Sequence, residues 1–186
     1  YFLGTPGAFQ KENQRIIKSM KQQMGNIVLI GMPGTGKSII GKLLAELTGK
    51  TLQDTDARIE EEAKMTIPEI FEKEGESGFR DRESAICKKL GKERNLIIAT
   101  GGGAILRPEN VDALRQNGTL VHITRSIDKL PTRGRPLSKN IETLKKMEAQ
   151  RMPLYKAAAD ITFRNNYTCS RKKLRQRVST YILEKL

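Results

Sequence analysis

From Asn26 onward, short unbroken apolar runs alternate with stretches whose apolar residues recur every three or four positions. Asn26-Ile27-Val28-Leu29-Ile30, Leu96-Ile97-Ile98-Ala99 and Leu120-Val121-His122-Ile123 are of the first kind. Runs so short and so rich in β-branched side chains read as strands buried on both faces. Ile40, Leu43, Leu44 and Leu47 are of the second kind and stripe one side of a helix. The pattern predicts strands near 26–31, 50–53, 95–99, 119–124 and 159–163. It predicts helices near 37–48, 56–64, 67–74, 77–91, 108–117, 141–157 and 170–184. Strands separated by helices specify an α/β fold with a parallel sheet. Arg133 to Asn140, rich in Arg, Gly and Pro, breaks the periodicity and reads as a mobile loop. Residues 1–24 begin without periodicity and continue into a polar helical piece, Lys11 to Gln23. They read as an N-terminal extension, a remnant or the end of an upstream domain, ahead of one domain over 25–186.

Between the first strand and the first helix stands Gly31-Met32-Pro33-Gly34-Thr35-Gly36-Lys37-Ser38. It fits the phosphate-binding P-loop pattern and has the strand-loop-helix context that the pattern requires. The glycines let the backbone turn its N–H groups inward, over Gly34, Thr35, Gly36, Lys37, Ser38 and Ile39. The helix N-terminus adds partial positive charge there. Lys37 can reach the β- and γ-phosphates of a nucleotide, and the Ser38 hydroxyl can bind Mg²⁺.

Further candidates follow the strands. Asp54-Thr55-Asp56 comes after the second strand, at the carboxyl end where open α/β sheets hold ligands. Asp54 is a candidate for Mg²⁺ and Asp56 for a substrate hydroxyl, as holder or base. Either could instead cap the following helix. Thr100-Gly101-Gly102-Gly103 follows the third strand. Its glycines allow close approach of a ligand and offer N–H groups. Thr100 stands where many P-loop proteins place a metal-binding Asp, which shifts that role to Asp54 and Ser38. Arg80 and Glu83, three apart on a helix, read by themselves as an ion pair on a solvated face. Arg135, in a glycine-hinged loop, could neutralise a transferring phosphoryl group. Arg151 has the planar fork that grips a carboxylate. His122, inside a strand, reads as a core residue, and neither Cys87 nor Cys169 reads as a nucleophile.

Composition narrows the classes. At 186 residues with 37 % hydrophobic content, one domain with a real core fits. No apolar run reaches the roughly 18 residues of a membrane span, and no secretory signal pattern is seen. Two distant cysteines make neither a disulfide framework nor a zinc site, and a cytoplasmic setting fits. The net charge of +13 suggests nucleic acid, but residues 1–24 and 164–186 supply nine of those charges. With no stacking platform, nucleic acid is set aside as a partner.

Taken in order, these motifs resemble those of shikimate kinases. The resemblance rests on Gly31 to Ser38, Asp54-Thr55-Asp56, Gly75-Glu76-x-x-Phe79-Arg80-x-x-Glu83, Gly101-Gly102-Gly103, Arg135-Pro136-Leu137 and Arg151-x-Pro153-Leu154-Tyr155. It covers about 26–165. It implies a three-layer fold like that of nucleoside-monophosphate kinases, with a five-stranded parallel sheet in the order 2-3-1-4-5. A substrate-binding part falls at about 55–85 and a mobile lid at about 133–140. It implies transfer of the ATP γ-phosphate to the 3-hydroxyl of shikimate with Mg²⁺, by a monomer. On this resemblance Arg80 and Arg151 hold the substrate carboxylate, Asp56 its hydroxyls, and Gly101, Gly102 and Gly103 line its site. Lys37, Asp56 and Arg135 are catalytic, Ser38 and Asp54 serve the metal, and Glu83 orients Arg80. Asn165-Asn166 is a candidate contact to the base. Between Arg125 and Arg135 the chain is shorter than the family pattern. Competing readings are another small-metabolite kinase of this fold, acting on gluconate or a nucleoside monophosphate, and a catalytically silent nucleotide-binding regulator. Two arginines suited to a carboxylate disfavour the first, and retention of Lys37, Ser38, Asp54, Asp56 and Arg135 argues against the second.

Overall fold

The computed structural model describes residues 25–130, 141–166 and 169–186. The extension at 1–24 and the lid at about 133–140, with Arg135, lie outside the described residues. Five strands form one parallel sheet: β1 (Asn26–Ile30), β2 (Thr51–Asp54), β3 (Leu96–Ala99), β4 (Gly118–Thr124) and β5 (Ile161–Arg164). Their order is β2-β3-β1-β4-β5, as the resemblance implies. The helices are α1 (Lys37–Thr48), α2 (Thr55–Ala63), α3 (Ile67–Lys92), α4 (Pro108–Arg115), α5 (Ile141–Ala158) and α6 (Arg171–Ile182).

The unbroken apolar runs are explained by the two faces of the sheet. Ile27 and Leu29 of β1 join Ile97, Val121 and Ile123 in a core with Ile40, Leu43 and Leu44 of α1 and Val178 and Ile182 of α6. Val28 and Ile30 join Ile98 and Leu120 in a second core with α3, α4 and α5. Alternate side chains of a strand point to opposite faces, so a strand covered on both sides needs apolar residues throughout. β5 is an edge strand, and there only Ile161 and Phe163 are buried while Thr162 and Arg164 are exposed.

Two features of the predicted pattern matter for the site. The helices predicted at 67–74 and 77–91 meet within α3 at a break at Gly75, with φ 69° and ψ −175°. That conformation costs an L side chain dearly, and glycine adopts it freely. Pro153 does not end its helix; α5 continues through it to Ala158. Proline forfeits one backbone hydrogen bond there. Burial of Leu144, Met147, Arg151, Tyr155 and Ala158 along one face holds the helix together regardless. Among the described residues, no helix is long and apolar enough to cross a membrane.

Candidate active site

All five strands end on one side of the sheet, and the loops leaving β1, β2 and β3 meet around a cleft of about 650 Å³. One wall is the loop after β1. α2, α3 and α6 begin with side-chain caps from Asp54, Thr66 and Ser170. α1 begins at Gly36 with no side-chain cap, which leaves its first N–H groups for an anion. Lys37 is buried, and its ammonium donates to the carbonyls of Gly31 at 2.6 Å and Met32 at 3.0 Å. Gly34, Gly36, Lys37, Ser38 and Ile39 line the cleft. Thr35 is buried behind it, with its hydroxyl donating to Met32 O at 2.9 Å. Asn165 Nδ2 donates to Thr35 O at 2.7 Å, so its amide braces the P-loop.

Asp54 caps the helix and also reaches the P-loop. Oδ1 caps α2, accepting from the N–H groups of Asp56 at 3.0 Å and Ala57 at 3.4 Å. Oδ2 accepts from the Ser38 hydroxyl at 3.4 Å. The cap therefore belongs to Asp54, which leaves the side chain of Asp56 to the cleft. Ser38 and Asp54 bring two hard oxygen donors together at the mouth of the phosphate loop. Mg²⁺ suits such a pair, because it takes few protein ligands and completes its shell from phosphates and water.

Asp56 is the most perturbed acid of the cleft. Its Oδ1 is buried and accepts no hydrogen bond among the described residues. Burial, with Asp54 and Glu83 nearby, pushes its carboxyl up to about 6, against the pull of Lys37. The sign for stability follows. A carboxyl whose folded value lies above its unfolded one favours folding at low pH, and loses that contribution as pH rises through about 6. In the ligand-free protein, ionised Asp56 thus costs on the order of 2–3 kcal/mol at pH 8. Asp56→Asn should raise the melting temperature at pH 8 by several degrees and change it little near pH 4. Thermal melts at both pH values check this, and equal shifts at the two would contradict it.

Arg80 and Glu83 are not a surface pair. Arg80 is 7 % and Glu83 0 % exposed, and Arg80 Nη1 donates to Glu83 Oε2 at 2.8 Å. Nη2 donates to Glu76 Oε1 at 3.1 Å. The guanidinium lies against the third glycine of the loop after β3. A Cβ on Gly103 would stand 2.1 Å from Arg80 Nη1, so any side chain there expels the guanidinium. Arg151 is buried on α5 and donates from Nη1 to Gly102 O at 3.0 Å. Its Nε is buried with no acceptor among the described residues. Both arginines, with Gly101, Gly102 and Gly103, line the same cleft as the P-loop. His122 is buried in β4 and stacked on Tyr155, a core residue as expected, and burial pushes it down to about 4. Burial pushes the Cys87 thiol up to about 12, which makes it inert.

Some lining residues escape the sequence reading. Ile67, Pro68, Phe71 and Phe79 give the cleft an apolar wall, and Met147 adds to it. They look like any core residues of a helix. Arg125 also lines the cleft. The position immediately after Thr124, at the carboxyl end of β4, was the signal available for it.

The comparisons with known proteins agree with this geometry. The family model for shikimate kinase matches residues 33–186. A shikimate kinase of Nitrosomonas europaea is 46 % identical over 145 residues, which is 74 % of this chain and 69 % of the relative. One of Symbiobacterium thermophilum is 38 % identical over 171 residues, 87 % of this chain and 95 % of the relative. A solved shikimate kinase of Acinetobacter baumannii, in complex with shikimate, superposes with a TM-score of 0.81. It is 35 % identical, over 89 % of this chain and 97 % of that one. With the fold, the cleft and these matches in accord, the chain belongs to the shikimate kinase family.

Proposed function

We propose that this enzyme transfers the γ-phosphoryl group of ATP to the 3-hydroxyl of shikimate, with the cleft residues in the following roles. The observation that carries the assignment is the facing of two buried arginines, Arg80 and Arg151, toward one cleft with an uncapped P-loop helix. Two guanidinium groups beside a triple-glycine loop suit a small acceptor with a carboxylate, and the wall of Ile67, Pro68, Phe71 and Phe79 suits the carbon face of its ring.

Asp56 holds the acceptor hydroxyl and takes its proton as the oxygen attacks the γ-phosphorus. The bond from that phosphorus to the β–γ bridging oxygen breaks, and its electron pair leaves on ADP. A carboxyl raised to about 6 accepts a proton more readily than an ordinary aspartate and is still mostly ionised near pH 7. Gly34, Thr35, Gly36, Lys37, Ser38 and Ile39 cradle the phosphates, and Lys37 offsets the charge that spreads over the transferring group. Ser38 and Asp54 hold Mg²⁺, whose charge neutralises the phosphate oxygens when it is bound. On the resemblance, Arg135 reaches the phosphates from the lid. Glu83 keeps Arg80 aimed.

Coupled measurement of ADP release with and without shikimate tests the assignment. Release that depends on shikimate is expected. Release with gluconate or a nucleoside monophosphate instead would move the chain to another small-metabolite kinase. Nucleotide binding with no acceptor-dependent release would make it a silent regulator.

A further inference from the structure

The mechanism leaves the buried Tyr155 hydroxyl without a task. Tyr155 is 1 % exposed and lies one helical turn beyond Arg151 on the same face of α5. Its hydroxyl donates to Gly102 O at 2.6 Å. Arg151 Nη1 donates to the same oxygen at 3.0 Å, so both lone pairs of that carbonyl are taken from the α5 side. Sharing that acceptor brings the Tyr155 hydroxyl and the Arg151 guanidinium side by side.

A run of three glycines cannot fix its own peptide planes, because it has no side chains to pack. Here the plane is fixed from outside. Among the described residues no peptide bond is cis, and in a planar trans peptide the N–H of one residue points opposite to the carbonyl of the one before. With Gly102 O drawn toward α5, the Gly103 N–H is directed away from it. Gly103 is also the residue that abuts the Arg80 guanidinium. The ring of Tyr155 is itself held: His122 stacks on it with centroids 4.8 Å apart and planes 20° apart. His122 stays neutral at working pH, so this support does not change with ordinary shifts of pH.

Building on the functional reading above, we propose that Tyr155 is a positioning residue for the acceptor. Through Gly102 O it sets the plane of the Gly102–Gly103 peptide and the aim of Arg151. One hydroxyl thereby orients a backbone N–H donor and a guanidinium toward the same carboxylate-bearing substrate. Tyr155 touches no reacting atom and acts on binding of the acceptor alone.

Tyr155→Phe is the test, since it keeps the ring and its stack on His122 and removes only the hydroxyl. The shikimate KM should rise about five- to twentyfold, with kcat and the ATP KM within about twofold. Val178→Ala, in the opposite core, serves as the stability control; it should lower the melting temperature and leave both KM values in place. In Tyr155→Phe/Arg151→Ala, the rise in shikimate KM should fall well short of the product of the single effects, because the hydroxyl acts partly through Arg151. An unchanged shikimate KM in Tyr155→Phe, an equal rise in both KM values, multiplicative effects, or loss of cooperative melting would each overturn the positioning role. Absence of shikimate-dependent ADP release in the unaltered enzyme would instead remove the functional reading beneath it.

Discussion

Lys37→Ala is expected to lower kcat by about 10³- to 10⁴-fold while the shikimate KM moves by less than roughly threefold. The ammonium sits in a buried position at the P-loop, held by Gly31 O and Met32 O. Charge placed there acts without the screening of bulk water, and it acts most on the group that gains negative charge in the transition state. A second effect adds to the first. Lys37 is the neighbour that pulls the Asp56 carboxyl down, against burial and two other carboxylates. Without it the Asp56 value rises above about 6, so the acid limb of the kcat/KM profile should move to higher pH. Steady-state ADP release over a range of shikimate concentrations, repeated across pH, reads both. A loss of less than about tenfold would place Lys37 outside the chemistry.

The parts of the site legible in the sequence are those whose logic is local. The P-loop declares itself because its strand, its glycines and its helix are contiguous. The double-faced apolar run of β1 announces a parallel sheet for the same reason, since alternate residues 27 and 29, then 28 and 30, each need a core. Arg80 and Glu83 are the opposite case. Spacing of three on a helix is common to solvated faces and to this buried pair. What packs against them is the glycine loop after β3, Gly103 on Arg80 and Gly101 on Glu83, some twenty residues away, and no local pattern reports that distance. The resemblance to a family supplied the role that spacing could not. Tyr155 and Asn165 fail in another way. Each makes one hydrogen bond to a backbone carbonyl of a distant loop, Gly102 or Thr35, and such a bond leaves no periodic trace. The cap of α2 shows what a local pattern leaves open. A side chain at 54 or at 56 could have capped the helix, and only the fold decides that Asp54 does so while Asp56 faces the cleft.

Arg80→Ala and Arg151→Ala should each weaken shikimate binding by about 2–4 kcal/mol and leave ATP binding near normal. They should differ in what else they cost. Arg80 is the ion-pair partner of Glu83, which is 0 % exposed. Its removal leaves a buried carboxylate with no donor, a loss of about 3–5 kcal/mol in stability. Arg151 bonds a neutral group, Gly102 O, so its removal should cost only about 1–2 kcal/mol. The pH dependence separates the two further. Burial already holds the Glu83 carboxyl above its usual value, against the pull of Arg80. Deleting Arg80 raises it more. Stability from a carboxyl raised in the folded state is present at acid pH and lost as pH rises through the folded value. Arg80→Ala should therefore melt much lower at pH 8 than near pH 5, and Arg151→Ala should show a far smaller difference. Arg80→Ala/Glu83→Gln should regain stability without regaining affinity, because the neutral amide no longer needs a buried cation but the substrate carboxylate still does. Calorimetric titration with shikimate, beside thermal melts at the two pH values, measures every term. Unchanged shikimate affinity in both single variants would sink the carboxylate grip, and restored affinity in the double variant would mean that Arg80 serves only to neutralise Glu83.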